Sequence, residues 1–253
     1  MTLDSYNLLC DDFYVDMFVN TQLELPMQRD TVLTFFERIR KQFPSMGSFY
    51  RRENNQYCLE EDHSTGAYRW VTLERERVGS GVVNPLRFEE AYSQGRLVIE
   101  LMPYMLNVSN LDINSLDVTF AMDFDYSGNH DEVIAEALLG SSVFSCLLDM
   151  PDAHPVSLSP SVVVAISADA LTQARISVES KMFFSETERR YRQGDEAISM
   201  SFSIRRYHDG SAGFDPAKSF EDQCRLVEEL MVEKIIPNFV RPLNSVIAEK
   251  RLT

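Results

Sequence analysis

The sequence predicts an α+β protein in which helices pack on one face of antiparallel sheet. Three observations predict it. Several stretches alternate apolar and polar residues with period two, as half-buried strands do. Stretches of helical periodicity separate them. Runs of strands also fall together between the helices, the pattern of antiparallel sheet and not of βαβ units. At 253 residues the chain is long enough for one large domain or two small ones.

Alternation is clearest from Phe13 to Leu25. Phe13, Val15, Met17, Val19, Leu23 and Leu25 point one way, and Asp12, Asp16, Asn20, Gln22 and Glu24 the other, giving a packed face and a wet face. Pro26 ends the strand. From Arg29 to Phe43 the period becomes helical, with Val32, Leu33, Phe35, Phe36, Ile39 and Phe43 in one stripe, and Pro44 stops the helix. Asn54-Asn55 predicts a hairpin turn, because Asn tolerates positive φ. Tyr68 to Arg77 predicts a strand. Asn84-Pro85 reads as the start of a helix reaching about Met105, with Gly95 and Pro103 weakening it.

The order then recurs. Asp117 to Tyr126 alternates, with Val118, Phe120, Met122, Phe124 and Tyr126 on one side. Asn129 with Glu132 resembles a capping box, opening a helix that carries Val133, Ile134, Ala137, Leu138, Phe144, Leu147 and Leu148. A Pro- and Ser-rich connector leads to strands near Val162–Ala168 and Thr172–Phe183. The segment ETERRYRQGDE reads as a charged loop, and Ile198, Met200, Phe202 and Ile204 alternate with polar residues in another strand. Ser219 and Asp222 open a long last helix that Pro237 and Pro242 kink or break.

Residues 1–110 and 111–253 therefore read as two similar β-α-β-β-β-α units. The likeness lies in element order, not in residue identity. Joined edge to edge, the units form one continuous sheet, a pseudo-duplicated saddle of the TATA-binding-protein kind. That analogy concerns fold and carries no function.

The stretch LDVTFAMDFDYSGNHDEVIAEALLG, followed by TQARISVES and AISMSFSIRRY, resembles segments of an uncharacterised family of bacterial proteins. The resemblance covers mainly residues 111–210. It implies a bacterial cytoplasmic protein and, with no activity assigned to that family, transfers no mechanism.

Composition narrows the function classes. Lys plus Arg total 24 against 39 Asp plus Glu, a net charge of -15. Nucleic acid and anionic membrane surfaces are excluded as expected partners, because both are gripped through cations. The start MTLDSYNLLCDDFYVD shows no basic region ahead of an apolar core, so a cytoplasmic location is expected. Cys10, Cys58, Cys146 and Cys224 form no CxxC pair and read as reduced thiols, with Cys146 and Cys224 buried in apolar helical patterns.

Charge is unevenly placed. No Lys or Arg occurs between Arg96 and Arg175, while the same window holds eleven carboxylates. It reads either as a solvated face or as a docking face for a basic partner or a cation. Inside it, Asp123, Asp125 and Asp131 match the first half of a calcium loop, D-x-D-x-S-G. Ile134 stands where a bidentate Glu is expected, and a strand precedes the motif. The competing reading is a strand-to-helix turn with Gly128 at positive φ and Asn129 capping the helix.

No catalytic constellation stands out. His63, His154 and His208 occupy turn-like contexts, and nothing in the spacing brings a histidine to Cys58. There is no GxSxG, P-loop or GxGxxG. Arg189, Arg190 and Arg192 could grip a carboxylate or phosphate, yet they lie among Glu186, Glu188, Asp195 and Glu196. Trp70, the only Trp, is expected in the core or on a sheet face. The expected function is a non-catalytic protein-binding or scaffold module, self-associating through sheet edges or the C-terminal helix. The alternatives are a small-ligand or enzyme domain with a pocket between sheet and helices, and a cation-regulated module, with calcium as the possible cofactor.

Overall fold

The structure, a computed structural model, describes residue 6, residues 8–180, 197–208, 210 and 214–252, and the backbone of 183–185 and 190–192. It is α+β. The strands are β1 (Asp12–Thr21), β2 (Ser48–Arg51), β3 (Tyr57–Glu60), β4 (Tyr68–Leu73), β5 (Arg77–Val83), β6 (Ile113–Phe124), β7 (Ser161–Ala165), β8 (Thr172–Ser180), β9 (Phe183–Ser185), β10 (Arg190–Arg192) and β11 (Ile198–Tyr207). Helices α1 (Arg29–Gln42) and α2 (Phe88–Met105) fall in the first half. In the second half, α3 (His130–Ile134) runs into a π-helical turn, Ala135–Leu139, followed by α4 (Ser145–Leu148). Helix α5 (Pro216–Leu230) continues through a π-helical stretch, Met231–Val240, into α6 (Arg241–Lys250).

Nine strands form one antiparallel sheet in the order β2-β3-β4-β5-β1-β6-β11-β8-β7, and β9 pairs with β10 in a separate ribbon. The joint between the halves is the pair β1–β6, from Asp12 opposite Asp123 to Asn20 opposite Ser115. The period-two pattern explains which face is packed. Phe13, Val15, Met17 and Val19 of β1 lie beside Met122, Phe120, Val118 and Leu116 of β6 and Met200, Phe202 and Ile204 of β11. All are buried in one hydrophobic cluster with Phe35 and Ile39 of α1, Val98 and Met102 of α2, and Val227 of α5. Each such side chain contributes about 1.5–3 kcal/mol by leaving water.

Two buried glutamines fasten helices to the sheet. Gln94 of α2 donates through Nε2 to the Trp70 and Gly81 carbonyls, at 2.9 and 3.2 Å, and to Ser80 Oγ at 3.0 Å. Gln223 of α5 donates to the Leu116 and Ile204 carbonyls at 2.8 and 2.7 Å.

Several local expectations are corrected. The first strand stops at Thr21, where its pairing with β6 becomes irregular, and Leu23 is exposed. The expected strand Tyr68–Arg77 is a hairpin: the chain turns at Glu74–Glu76 and returns as β5, with Glu74 N–H donating to the Arg77 carbonyl at 2.8 Å. Asn84 is no helix cap. It takes φ of 48°, accepts from the Phe13 N–H at 2.8 Å, and donates to Asp12 at 2.6 Å, so it clamps β5 to β1. The helix begins only at Phe88. After Asn129 the expected amphipathic helix breaks at Gly140, and Phe144, Leu147 and Cys146 are exposed instead of buried. Asn129 itself caps as expected, accepting from the Asp131 and Glu132 amides at 3.0 and 3.3 Å. Gly128 does not use positive φ; a Cβ there would collide with the Tyr126 ring. The last helix starts at Pro216 behind the cap Asp215, and Pro237 is absorbed within the π-helical stretch.

Candidate functional site

Two surfaces are left by this architecture. The first is the sheet face turned away from the helices, whose apolar residues lie outside the core cluster. On its β1–β5 side, large aromatics cover small residues. Gly81 sits between Asp16 and Trp70 in register, and Gly79 between Phe18 and Thr72. A Cβ on Gly81 would overlap the Asp16 carboxylate and approach Trp70 within 2.6 Å. On Gly79 it would meet Thr72 at 2.6 Å and Trp70 at 2.9 Å. The glycines thus make the bed in which the indole lies. Phe18 flanks it at 5.8 Å between ring centroids, and Arg77 caps Phe18 at 4.8 Å.

That bed covers one oxygen of the half-buried Asp16. Its Oδ1 is shut off from solvent and has no hydrogen-bond partner, and burial pushes the carboxyl up to about 8. The charged form is disfavoured, because nothing offsets the desolvation of its charge. On the β6–β11 side the same face is rich in hydroxyls that satisfy one another. Thr119 and Ser203 lie 2.7 Å apart, and Ser177 and Ser201 lie 2.9 Å apart. Arg205 holds Asp117 with two bonds, at 2.6 and 2.7 Å.

The second surface is the β7 edge of the sheet. Every residue of β7 is exposed, with Val162, Val163 and Val164 at 55%, 55% and 48%. Pairing with β8 uses the even-numbered backbone groups: the Val178 N–H donates to the Pro160 carbonyl at 3.0 Å, and the Ile166 N–H donates to the Thr172 carbonyl at 2.9 Å. Antiparallel hydrogen-bonded pairs alternate, so the N–H and C=O groups of Ser161, Val163 and Ala165 point away from the sheet. The strand carries no charge, Pro or bulge, the devices that usually blunt an edge. The opposite edge, β2, differs. It is four residues long, ends in Arg51, and is followed by Arg52, which bonds Gln56 and Glu60. Nine of the eighteen exposed large hydrophobics among the described residues lie between Val143 and Ile166, so apolar exposure is concentrated in this one segment.

The expected metal ligands take other partners. Asp123 accepts from Tyr14 at 2.9 Å and from Ser199 at 2.5 Å. Asp125 is exposed, and its backbone N–H donates to Asp11. Asp131 is buried and accepts from the Leu158 N–H at 2.7 Å, tying the connector before β7 to α3. Among the described residues, no three His, Cys, Asp or Glu side chains converge as a metal site. Arg189 lies outside the described residues. Arg190 and Arg192 fall in β10, and their side chains are outside the description too.

Thiol and histidine chemistry is muted here. Burial raises the Cys58 and Cys10 thiols, the latter to about 12, so neither is a ready thiolate. His63 stacks on Tyr68 at 3.8 Å and contacts Glu60 at 3.2 Å. Clefts of about 440 and 310 Å³ lie at the surface, one beside Thr21–Gln28 and Leu106–Asp112, the other between Glu132–Asp149 and Lys250. No helix among the described residues is long and apolar enough to cross a membrane. Comparison with known protein families, curated proteins and solved structures finds no match.

The exposure of the β7 edge is what sequence reasoning missed, although it placed a strand near Val162–Ala168. Its signal was the uncharged run SVVVAIS behind a Pro- and Ser-rich connector. A short continuous apolar run reads equally as a buried central strand, so exposure was not legible from pattern.

Proposed function

We propose that the chain is a non-catalytic protein-binding module that takes an extended partner strand onto β7. The observation that carries this reading is the uncharged, fully exposed edge strand with three outward N–H and three outward C=O groups. Strand addition to such an edge gains affinity from main-chain hydrogen bonds and selectivity from alternate side chains. Val162 and Val164 supply apolar contacts on the helix side, and Val163 on the other. Glu100, Asp149 and Asp152 of the basic-free window are exposed and favour partners with basic flanks, since complementary charge speeds encounter.

The frame behind the edge is read as an internal duplication. Outward from β1 run β5, β4, β3 and β2; outward from β6 run β11, β8 and β7. Each half brings one long helix to the sheet with a buried glutamine on strand carbonyls. This supports a pseudo-twofold saddle whose second half ends in the unprotected edge.

Pull-down with the wild-type chain and with Val163→Lys tests the binding function. Val163 is exposed, so the substitution leaves the fold intact while placing a charge on the outward edge. Partners held by wild type are lost with the variant. Retention of the same partners by both proteins contradicts docking on β7.

A further inference from the structure

We infer that the helix-side face of β7 seats a cationic amphipathic helix from a partner protein. This face is perpendicular to the outward N–H and C=O groups that accept a strand, and its occupation does not depend on theirs. The two wings of the sheet are roofed differently. On the β2 wing, α1 turns Val32, Phe35, Phe36 and Ile39 toward the core, and all four are buried. Its Phe36 reaches Phe49 of the edge strand β2, 5.5 Å between ring centroids. Among the described residues, the chain between β6 and β7 supplies no helix of that length. There α3 has five residues and packs against β8. The π-helical turn after it ends at Gly140, and Phe144 and Leu147 stay exposed. Counted from the central pair, β3 is the fourth strand of one wing and β7 the fourth of the other. On the packed side, Leu59 of β3 is 2% exposed, whereas Val162 of β7 is 55% exposed. Val162 and Val164 lie in register with Ile176 and Ala174 of β8, which belong to or pack on the core, so they continue its apolar surface into solvent.

A helix with apolar residues at the spacing of α1, i, i+3, i+4 and i+7, completes the β7 wing as α1 completes the other. Charge fixes the sign of its polar flanks. The cleft beside α3 is lined by Glu132, Glu136 and Asp149, with Lys250 the single Lys or Arg among its lining residues. Asp152 is exposed on the connector that follows, and the chain has no Lys or Arg between Arg96 and Arg175. Lys or Arg along the flanks of the helix therefore meets carboxylates. A second copy of this chain, at -15, brings its own sign to the same place, and so does an anionic membrane. The other side of β7 is unlike this one. Val163 there lies in register with the exposed Arg175, which repels a basic partner.

Titration calorimetry on the full chain, with circular dichroism read in parallel, tests the seat with synthetic peptides. The first peptide has 14 residues, as α1 does, with Leu at the places of Val32, Phe35, Phe36 and Ile39 and Lys, Gln and Ala elsewhere. The second has the same composition rearranged to period two. The third carries Glu in place of every Lys. The first binds and gains helical signal on binding, and added salt weakens it. The third binds at least about tenfold more weakly. Val162→Ser combined with Val164→Ser weakens the first peptide about tenfold or more, because two apolar contacts are lost. Val163→Lys, on the other side of the strand, leaves it nearly unchanged. Both variants change exposed residues, so their melting temperatures match wild type. No binding of the first peptide, binding without helical signal, binding indifferent to the double Ser variant, or equal binding of the Glu form each overturns the inference. The second peptide reads strand docking separately. Held by wild type and lost with Val163→Lys, it leaves the docking strand standing when the helix seat has failed.

Discussion

Asp16 shows how one residue's environment sets a measurable property of the whole protein. Its Oδ1 is closed off without a donor, and its pKa rises from 3.8 to about 8 through loss of solvation. An acid that holds its proton more tightly when folded stabilises the fold most below its unfolded pKa. That stability is lost as pH climbs from 3.8 toward 8. Thermal melts across this range should show the melting temperature falling, with Asp16→Asn flattening the slope. Asp131, raised by burial, and the exposed Asp125, raised by partial desolvation and by the neighbouring Asp11, Asp12 and Asp123, leave a smaller slope of the same sign. An unchanged slope in Asp16→Asn contradicts the desolvated carboxyl. Gln223 makes the complementary case, since Gln223→Leu removes both of its bonds to the Leu116 and Ile204 carbonyls and should cost about 1–3 kcal/mol in urea unfolding.

At the scale of elements, the strands with a packed and a wet face were legible because period two survives any context. Phe13, Val15, Met17 and Val19 alternate in burial as their spacing requires, and so do Ile198, Met200, Phe202 and Ile204. β5 was not legible. Gly79 and Gly81 have no side chain to show the alternation of a strand; they are there to seat the indole of Trp70, a tertiary reason invisible in local pattern. Phe144 and Leu147 misled for the opposite reason: their spacing fits a buried helix, but Gly140 ends the helix first. The loop after β6 was half legible. Asn129 caps α3 as its sequence demands, and Asn129→Ala should cost about 1 kcal/mol in denaturant unfolding. The neighbouring aspartates instead bond to Tyr14, Ser199 and Leu158. Millimolar calcium should therefore leave the melting temperature unchanged, because only a ligand that prefers the native state raises it. A rise of several degrees would restore the calcium loop.

The whole molecule is organised by the β1–β6 pair. It lies mid-sheet, and one core cluster draws on both halves of the chain. Calorimetry should show a single unfolding transition, and two transitions separable into 1–110 and 111–253 would contradict that frame. A sheet of this kind has two ends, and the two are treated differently. Arginines blunt β2, while β7 is left bare. Amide hydrogen exchange along β7, followed in the free chain and with a captured partner bound, tests that asymmetry most directly. Val162 and Val164, bonded inward to β8, should exchange slowly throughout. Ser161, Val163 and Ala165 should exchange fast in the free chain and become protected once a partner strand is bound. Outward amides that remain fast with a partner bound would contradict β7 as the docking strand.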